Sequence, residues 1–193
     1  MANSPGDILT PQGYLSDIAE HPNLDVVMNL FRIPRAFAVS GFGDWSVGQH
    51  CFCVAYLALY WARHRGYDAA RRNRLMAMGL THDLHESATG DILPALKNEA
   101  LRAELERVQA RFLAGLNLAA DPALVPDLKL LDMVAFLYEI RRAAVLDGEQ
   151  RERLGAFFVQ QRTAVLDYAA AQGFTTVEAF LGELGVLEPV TAG

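Results

Sequence analysis

The segment from Ser46 to Arg63 most constrains the fold, because its apolar side chains occupy nearly every face of a helix. Ser46 stands where a helix N-cap residue is expected. A helix that is apolar on nearly all sides must be covered by other parts of the chain. We therefore predict that this segment is the central helix of the hydrophobic core.

Helical periodicity continues through most of the chain. Leu105, Val108 and Phe112, for example, recur at the spacing of one helix face. Such patterns predict further helices at about residues 12–20, 24–31, 69–83, 95–115, 123–144, 149–171 and 175–184. No alternation of apolar and polar residues is long enough to predict a β-strand. The sequence therefore predicts an all-α fold, a bundle of about seven or eight helices.

Length and charge limit the class of protein. A chain of 193 residues, 52% of them hydrophobic, suits one domain that buries a core. Its net charge is −6, whereas nucleic-acid-binding proteins usually carry a basic surface. No apolar run is long enough to span a bilayer, and residues 1–11 do not resemble a secretory signal. We expect a single cytoplasmic domain over residues 1–193, with neither a nucleic-acid polymer nor a membrane as partner.

Residues 81–91 concentrate side chains that can do chemistry. This stretch, Thr-His-Asp-Leu-His-Glu-Ser-Ala-Thr-Gly-Asp, holds two imidazoles and three carboxylates directly after an apolar helix. If the helix continues, His82 and Glu86 are four residues apart and share a face. His82 also extends the apolar line of Leu75 and Met78. We therefore predict a titratable group at a position where burial is expected.

Two more polar residues interrupt apolar helix faces. His50 begins a stripe that continues through Val54 and Leu57, and Asp132 lies on a stripe with Leu128. A lone core histidine is often only hydrogen-bonded, and a core aspartate can cap a helix or meet an arginine. A buried carboxylate is costly, however, unless it is paired, hydrogen-bonded or bound to a metal.

Four of these residues together offer two imidazoles and two carboxylates to one divalent cation: His50, His82, Asp83 and Asp132. This mixture of nitrogen and oxygen ligands suits Mn, Co, Fe, Ni, Zn or Mg better than an all-thiolate site would. A cation at such a site would polarise a phosphoryl oxygen and lower the pKa of a water molecule.

Other polar residues of the same stretch extend this hypothesis. Glu86 and Asp91 would be additional carboxylates suited to proton transfer. His85 leaves a dinuclear centre open, although no second histidine cluster is present in the sequence.

The ordered set of motifs resembles the HD-domain phosphohydrolases, and among them the bacterial and phage 5'-deoxynucleotidases and dNTP phosphohydrolases. The resemblance covers about residues 30–140. Residues 46–50, Ser-Val-Gly-Gln-His, are similar to the family's Ser-Val-x-Glu-His helix start. Residues 82–86 are similar to its His-Asp-x-x-Glu and residues 89–91 to its Thr-Gly-Asp, while Asp132 corresponds to its distant last ligand.

The resemblance implies a role for each of these motif residues. The metal ligands would be His50, His82, Asp83 and Asp132. Glu86 would position or deprotonate the attacking water, and Asp91 would assist as acid or base. Lys97, six residues after Asp91 as in the family's pattern, would contact phosphate.

The substrate-binding residues depart from the family's pattern. Arg35 would contact the substrate's phosphate and sugar, but the Trp that typically follows this Arg in the deoxynucleotidases is replaced by Ala36. Phe37 comes next and Trp45 lies nearer the ligand helix, so both are candidate substrate contacts. Gln49 also replaces the usual Glu. These differences affect which sugar, which base and how many phosphate groups the substrate would have.

The resulting hypothesis is metal-dependent hydrolysis of nucleotide phosphate esters with one divalent cation as cofactor, as in a 5'-deoxynucleotidase that releases phosphate from deoxynucleoside monophosphates. One alternative is a dNTP triphosphohydrolase, and another is a nucleotide-sensing module that does no chemistry. A third is a helical bundle whose polar residues only form hydrogen bonds in the core. The resemblance also implies a homodimer.

Overall fold

The computed structural model describes residues 24–35, 45–146 and 151–189. Within these ranges the α-helices are α1 (Leu24–Met28), α2 (Val47–His64), α3 (Ala69–Thr81), α4 (Glu86–Thr89), α5 (Glu99–Gly115), α6 (Val125–Leu146), α7 (Arg151–Ala171) and α8 (Val177–Glu183). The same ranges contain no β-strand, only a single antiparallel bridge between Pro34 and Ser46. The predicted all-α fold class is confirmed. The predicted helix at about residues 12–20 lies outside the described residues.

The chain divides into two compact units. Unit one comprises Met1–Arg35, Ser46–Gln49 and Thr81–Ala120, and unit two comprises Ala36–Trp45, His50–Leu80 and Asp121–Gly193. The prediction of a single domain over residues 1–193 stays a prediction. No helix of the described part of the chain has both the length and the apolar composition needed to cross a bilayer.

The hydrophobic core of unit two is built around α2, as the sequence predicts. Trp61 is fully buried, and the rings of Phe174 and Phe180 lie 5.4 and 5.1 Å from its ring. One face of α2 differs from the prediction, since Phe52 is 61% and Tyr56 50% exposed. Their rings stack on each other one helical turn apart, at a centroid distance of 6.1 Å, so each partly shields the other from water.

A buried carboxylate of unit two has an ordinary structural explanation. Asp127 at the start of α6 accepts hydrogen bonds from Trp61 Nε1 at 2.7 Å and from the Tyr67 hydroxyl at 2.9 Å. The Arg65 guanidinium lies 3.4 Å from the same oxygen. Because these partners satisfy the charge, Asp127 stabilises the packing of α2 against α6.

Unit one contains the start of α2. The Ser46 side chain accepts a hydrogen bond from the backbone N of Gln49 at 3.2 Å, and the Gln49 side chain accepts one from the backbone N of Ser46 at 2.8 Å. This reciprocal pair is a capping box, so the predicted N-cap is confirmed and Gln49 serves where a Glu is common.

Among the described residues of unit one, the longest helix is α5. It begins at Glu99 rather than at about residue 95, because residues 94–96 form a short 3-10 helix and the Asn98 side chain accepts from the backbone N of Leu101 at 2.9 Å. The predicted apolar face is largely confirmed, since Leu105, Val108 and Phe112 are buried.

Candidate functional site

His82 and Asp83 lie in a turn and not on a helix. Helix α3 ends at Thr81, and the backbone N of Leu84 donates to the Thr81 carbonyl at 3.2 Å while that of Glu86 donates to the Asp83 carbonyl at 2.9 Å. These three-residue hydrogen bonds replace the four-residue spacing of an α-helix. The prediction that His82 and Glu86 share a helix face is therefore wrong.

The side chain of Gln109, on α5, holds both ends of this turn. Its Nε2 donates to the Thr81 carbonyl at 2.6 Å and its Oε1 accepts from the backbone N of His85 at 3.0 Å. A backbone carbonyl only accepts and a backbone N–H only donates, so the orientation of the amide is fixed. The same Oε1 lies 3.1 Å from His85 Nδ1, which must therefore carry a proton. No pattern in the sequence marks Gln109 for this role.

His82 and Asp83 form a close pair in unit one. His82 Nε2 lies 3.2 Å from Asp83 Oδ2, and Arg35 Nη1 lies 3.5 Å from the same oxygen. Two ligands about 2.1 Å from one cation, at angles of about 90–110°, are about 3.0–3.4 Å apart. The separation in this pair therefore suits two ligands of one cation.

Glu86 is a buried carboxyl group in the same unit. Burial, the largest cause, acts together with the charges of Asp83 and Asp91 to raise its pKa to about 8, against the opposing charges of Lys97 and Arg35. Its Oε1 lies 3.8 Å from Lys97 Nζ, and its buried Oε2 has no hydrogen-bond partner in the described ranges. A carboxyl group with such a pKa can both hold and release a proton near neutral pH.

Gly90 connects Glu86 to the other predicted acid. Its backbone N donates to the Glu86 carbonyl at 2.8 Å, and its φ of +74° lies in the left-handed region that glycine adopts readily. This residue ends α4 and turns the chain into Asp91, which is half-buried. The Thr-Gly-Asp motif thus has Gly at this position because the chain needs a positive φ where α4 ends.

In unit two, the side chain of His50 is fully buried, as predicted, and its Nε2 lies 3.2 Å from Asp132 Oδ1. This separation again suits two ligands of one cation. The expectation that Asp132 is a buried carboxylate is wrong: its side chain is 24% exposed, and Oδ2 accepts a hydrogen bond from Lys129 Nζ at 2.8 Å. The position on the helix places Asp132 at the edge of the apolar face, within reach of solvent.

Glu139 is another α6 residue beside His50, and its carboxylate is fully buried. Its Oε1 lies 2.6 Å from Nδ1 of His50. Glu139 follows Asp132 by seven residues, two turns of the helix, so both side chains lie on the side that faces His50. This spacing was the signal available in the sequence, which places Glu139 on the stripe of Asp132 without indicating a function.

The two aromatic candidates for substrate contact have different outcomes. Trp45 is half-buried and its ring meets the ring of Tyr138 edge-on, with centroids 6.2 Å apart. Its contact with substrate stays a prediction. Phe37 lies outside the described residues.

The residues that could bind a divalent cation are thus His82 and Asp83 in unit one and His50 and Asp132 in unit two. Nitrogen and oxygen donors without a thiolate suit borderline or hard divalent cations. In each pair the imidazole Nε2 lies 3.2 Å from a carboxylate oxygen, a distance that suits two ligands of one cation. Both pairs therefore fit such a cation.

Comparison with known proteins agrees with this chemistry. No curated protein and no solved structure matches the chain. Residues 33–123 match a family model described as HD domain, a stretch that includes His50, the His82–Asp83 pair and Glu86 but ends before Asp132. The match supports an HD-domain family for this part of the chain, and HD domains are in general metal-dependent phosphohydrolases.

Proposed function

We propose that this protein is a metal-dependent phosphohydrolase that releases orthophosphate from deoxynucleoside 5'-monophosphates. The observation that carries the proposal is Glu86, a buried carboxyl group whose pKa is raised to about 8. It belongs to the same unit as the His82–Asp83 pair, and Lys97 Nζ lies 3.8 Å from it. A proton-transfer group, metal ligands and a phosphate-binding cation are the parts that phosphate-ester hydrolysis needs.

The proposed cofactor is one divalent cation held by His50, His82, Asp83 and Asp132. Two distances support this ligand set, since each imidazole Nε2 lies 3.2 Å from a carboxylate oxygen of its own unit. When bound, the cation supplies polarisation of a phosphoryl oxygen and a lower pKa for a nearby water molecule.

Proton transfer is assigned to the two remaining carboxyl groups. Glu86 orients a water molecule and accepts its proton while the water oxygen forms a bond to phosphorus. The bond between phosphorus and the 5'-oxygen breaks, and Asp91 delivers a proton to that oxygen. The products are a nucleoside and orthophosphate, so atoms and protons balance.

Phosphate binding is assigned to Arg35 and Lys97. Each lies beside a carboxylate, Arg35 Nη1 at 3.5 Å from Asp83 and Lys97 Nζ at 3.8 Å from Glu86. Two positive charges therefore lie beside these carboxylates, and charge-assisted hydrogen bonds from them would hold a phosphate group. Trp45 and Phe37 are the proposed contacts for the sugar or base.

The experiment is product analysis with purified protein and Mn²⁺, Co²⁺ or Mg²⁺. Ribo- and deoxyribonucleoside mono-, di- and triphosphates are offered, and orthophosphate, pyrophosphate and triphosphate are resolved. We expect orthophosphate from deoxynucleoside monophosphates and little turnover in Glu86→Gln. The matched control is Glu106→Gln, an exposed position of α5 in the same unit, which should keep wild-type turnover.

Other products would replace the proposal by a specific alternative. Triphosphate released from a deoxynucleotide indicates a dNTP triphosphohydrolase. Nucleotide binding without turnover under any cation indicates a sensing module. We also propose that the protein is a cytoplasmic homodimer. Its molar mass, measured by light scattering as it elutes from a size-exclusion column, tests the dimer.

A further inference from the structure

We propose that Glu139 is a positioning residue that fixes His50 in the Nδ1–H tautomer, so that the Nε2 atom keeps its lone pair for a cation. The inference deepens the proposed function, because it assigns the role of an additional residue at the same ligands. It concerns unit two alone, where His50, Asp132 and Glu139 all lie.

The first step of the argument is the contact itself. Oε1 of Glu139 lies 2.6 Å from Nδ1 of His50, and both side chains are 0% exposed. An ionised carboxylate only accepts hydrogen bonds, so the proton of this contact belongs to the imidazole Nδ1. A neutral imidazole carries one N–H, and its other nitrogen is then an acceptor.

The second step concerns which of the two carboxylates around His50 determines the tautomer. Glu139 is closer to the ring, at 2.6 Å against 3.2 Å for Asp132, and is the more deeply buried, at 0% exposure against 24%. The Asp132 carboxylate also accepts a hydrogen bond from the Lys129 ammonium group at 2.8 Å. This positive charge makes Asp132 a weaker acceptor for the ring N–H. The stronger acceptor for a ring N–H is therefore Glu139.

The third step follows from the other side of the ring. With the proton on Nδ1, the Nε2 lone pair and Asp132 Oδ1 are two acceptors 3.2 Å apart. Two ligands of one divalent cation lie about this far apart. A ligating histidine commonly donates its other N–H to a carboxylate, which is the arrangement of His50 and Glu139.

The experiment measures cation affinity and the ring tautomer separately. Calorimetric titration with Mn²⁺ should show affinity about 10–100-fold lower in Glu139→Gln than in wild type. Imidazole ¹H–¹⁵N correlation spectra of cation-free protein at pH 8 should show the Nδ1–H form of His50 in wild type and a smaller share of this form in the variant, because a neutral amide oxygen accepts less strongly than a carboxylate. All titrations are run well below the unfolding temperature of each protein.

The matched control is Asp127→Asn. Asp127 is a second buried carboxylate of α6, but it contacts Trp61 and Tyr67 instead of a proposed ligand. This variant should unfold at a lower temperature and bind Mn²⁺ as tightly as wild type. A merely structural role of Glu139 predicts the same behaviour for both variants.

Each remaining outcome has a defined meaning. Equal Mn²⁺ affinity in wild type and Glu139→Gln, or an Nε2–H ring in wild type, overturns the inference. If wild type binds no Mn²⁺, the proposed function fails, and the ring spectra still decide the role of Glu139. If Glu139→Gln does not fold, Glu139→Asp is measured instead, because it keeps the charge but withdraws the oxygen from the ring.

Discussion

The Nζ atom of Lys97 lies 3.8 Å from Oε1 of Glu86, yet the pKa of this carboxyl group is raised to about 8. Burial and the negative charges of Asp83 and Asp91 therefore outweigh the attraction of the ammonium group. In protein without a divalent cation, Glu86 holds a proton at neutral pH. Because the folded protein binds this proton more tightly than the unfolded chain does, the free energy of unfolding falls as pH rises.

The pH dependence of stability gives the first prediction. Between the ordinary pKa of 4.5 and the folded value of about 8, the folded protein binds more protons at Glu86 than the unfolded chain does. The free energy of unfolding of chelator-treated protein should therefore fall from pH 5 to pH 8, with a Glu86 contribution on the order of 4 kcal/mol. Glu86→Gln should remove this contribution. Urea unfolding at both pH values measures it, and an equal fall in wild type and variant would contradict the assignment.

Parts of this structure could be predicted from sequence because their causes are local. The N-cap at Ser46, the burial of His50 and the apolar face of α5 follow from side-chain type and helical spacing within a few residues. The position of His50 on an apolar stripe also marks this residue as unusual in the sequence.

Other parts depend on distant residues. The turn at His82 and Asp83 is held by Gln109, which is 28 positions from Thr81 in the chain. Asp132 and Glu139 share one helix face, and only the packing of α6 against its neighbours decides which carboxylate is buried. Hydrophobic periodicity identifies which helix face is buried, but it does not fix the rotation of the helix about its axis to within one residue.

The Gln109 contacts give the second prediction. In Gln109→Glu a carboxylate oxygen replaces the donor to the Thr81 carbonyl, so two acceptors face each other. We expect a loss of about 1–3 kcal/mol in the free energy of unfolding and weaker Mn²⁺ binding, because the turn that carries His82 loosens. Denaturant unfolding and calorimetry measure the two effects. Gln160→Glu, at an exposed position of α7, should change neither, and wild-type behaviour of Gln109→Glu would contradict the proposed hold on the turn.

A pair of glycine variants gives the third prediction. A Cβ at Gly79 would lie 3.0 Å from both Cα and N of Ala55, so Gly79→Ala forces α3 away from α2. We expect a loss of about 1–3 kcal/mol in the free energy of unfolding. Gly155 in α7 has nothing within 4 Å of that position, and Gly155→Ala should stabilise by about 0.5–1 kcal/mol. Thermal unfolding that ranks the two variants the other way would refute the close approach.

Arg35 gives the fourth prediction. Its guanidinium offers a planar set of donors that an ammonium group does not reproduce, so Arg35→Lys should lower kcat/KM for a deoxynucleoside monophosphate about tenfold or more. Mn²⁺ affinity should stay near the wild-type value because Arg35 is not a proposed ligand. Arg32→Lys, an exposed neighbour in unit one, is the matched control. Equal kinetics for both variants would remove Arg35 from the phosphate-binding role.

The central claim is that His50, His82, Asp83 and Asp132 bind one divalent cation. The most direct test is the number of Mn²⁺ ions bound per chain after chelator treatment and readdition, measured for wild type and for His82→Ala and Asp132→Ala. We predict one ion per chain in wild type, and affinity lowered at least about 100-fold in each variant, because each loses a direct ligand whereas loss of a supporting residue costs about 10–100-fold. Wild-type protein that binds no Mn²⁺, or variants that bind it as tightly as wild type, would contradict the claim.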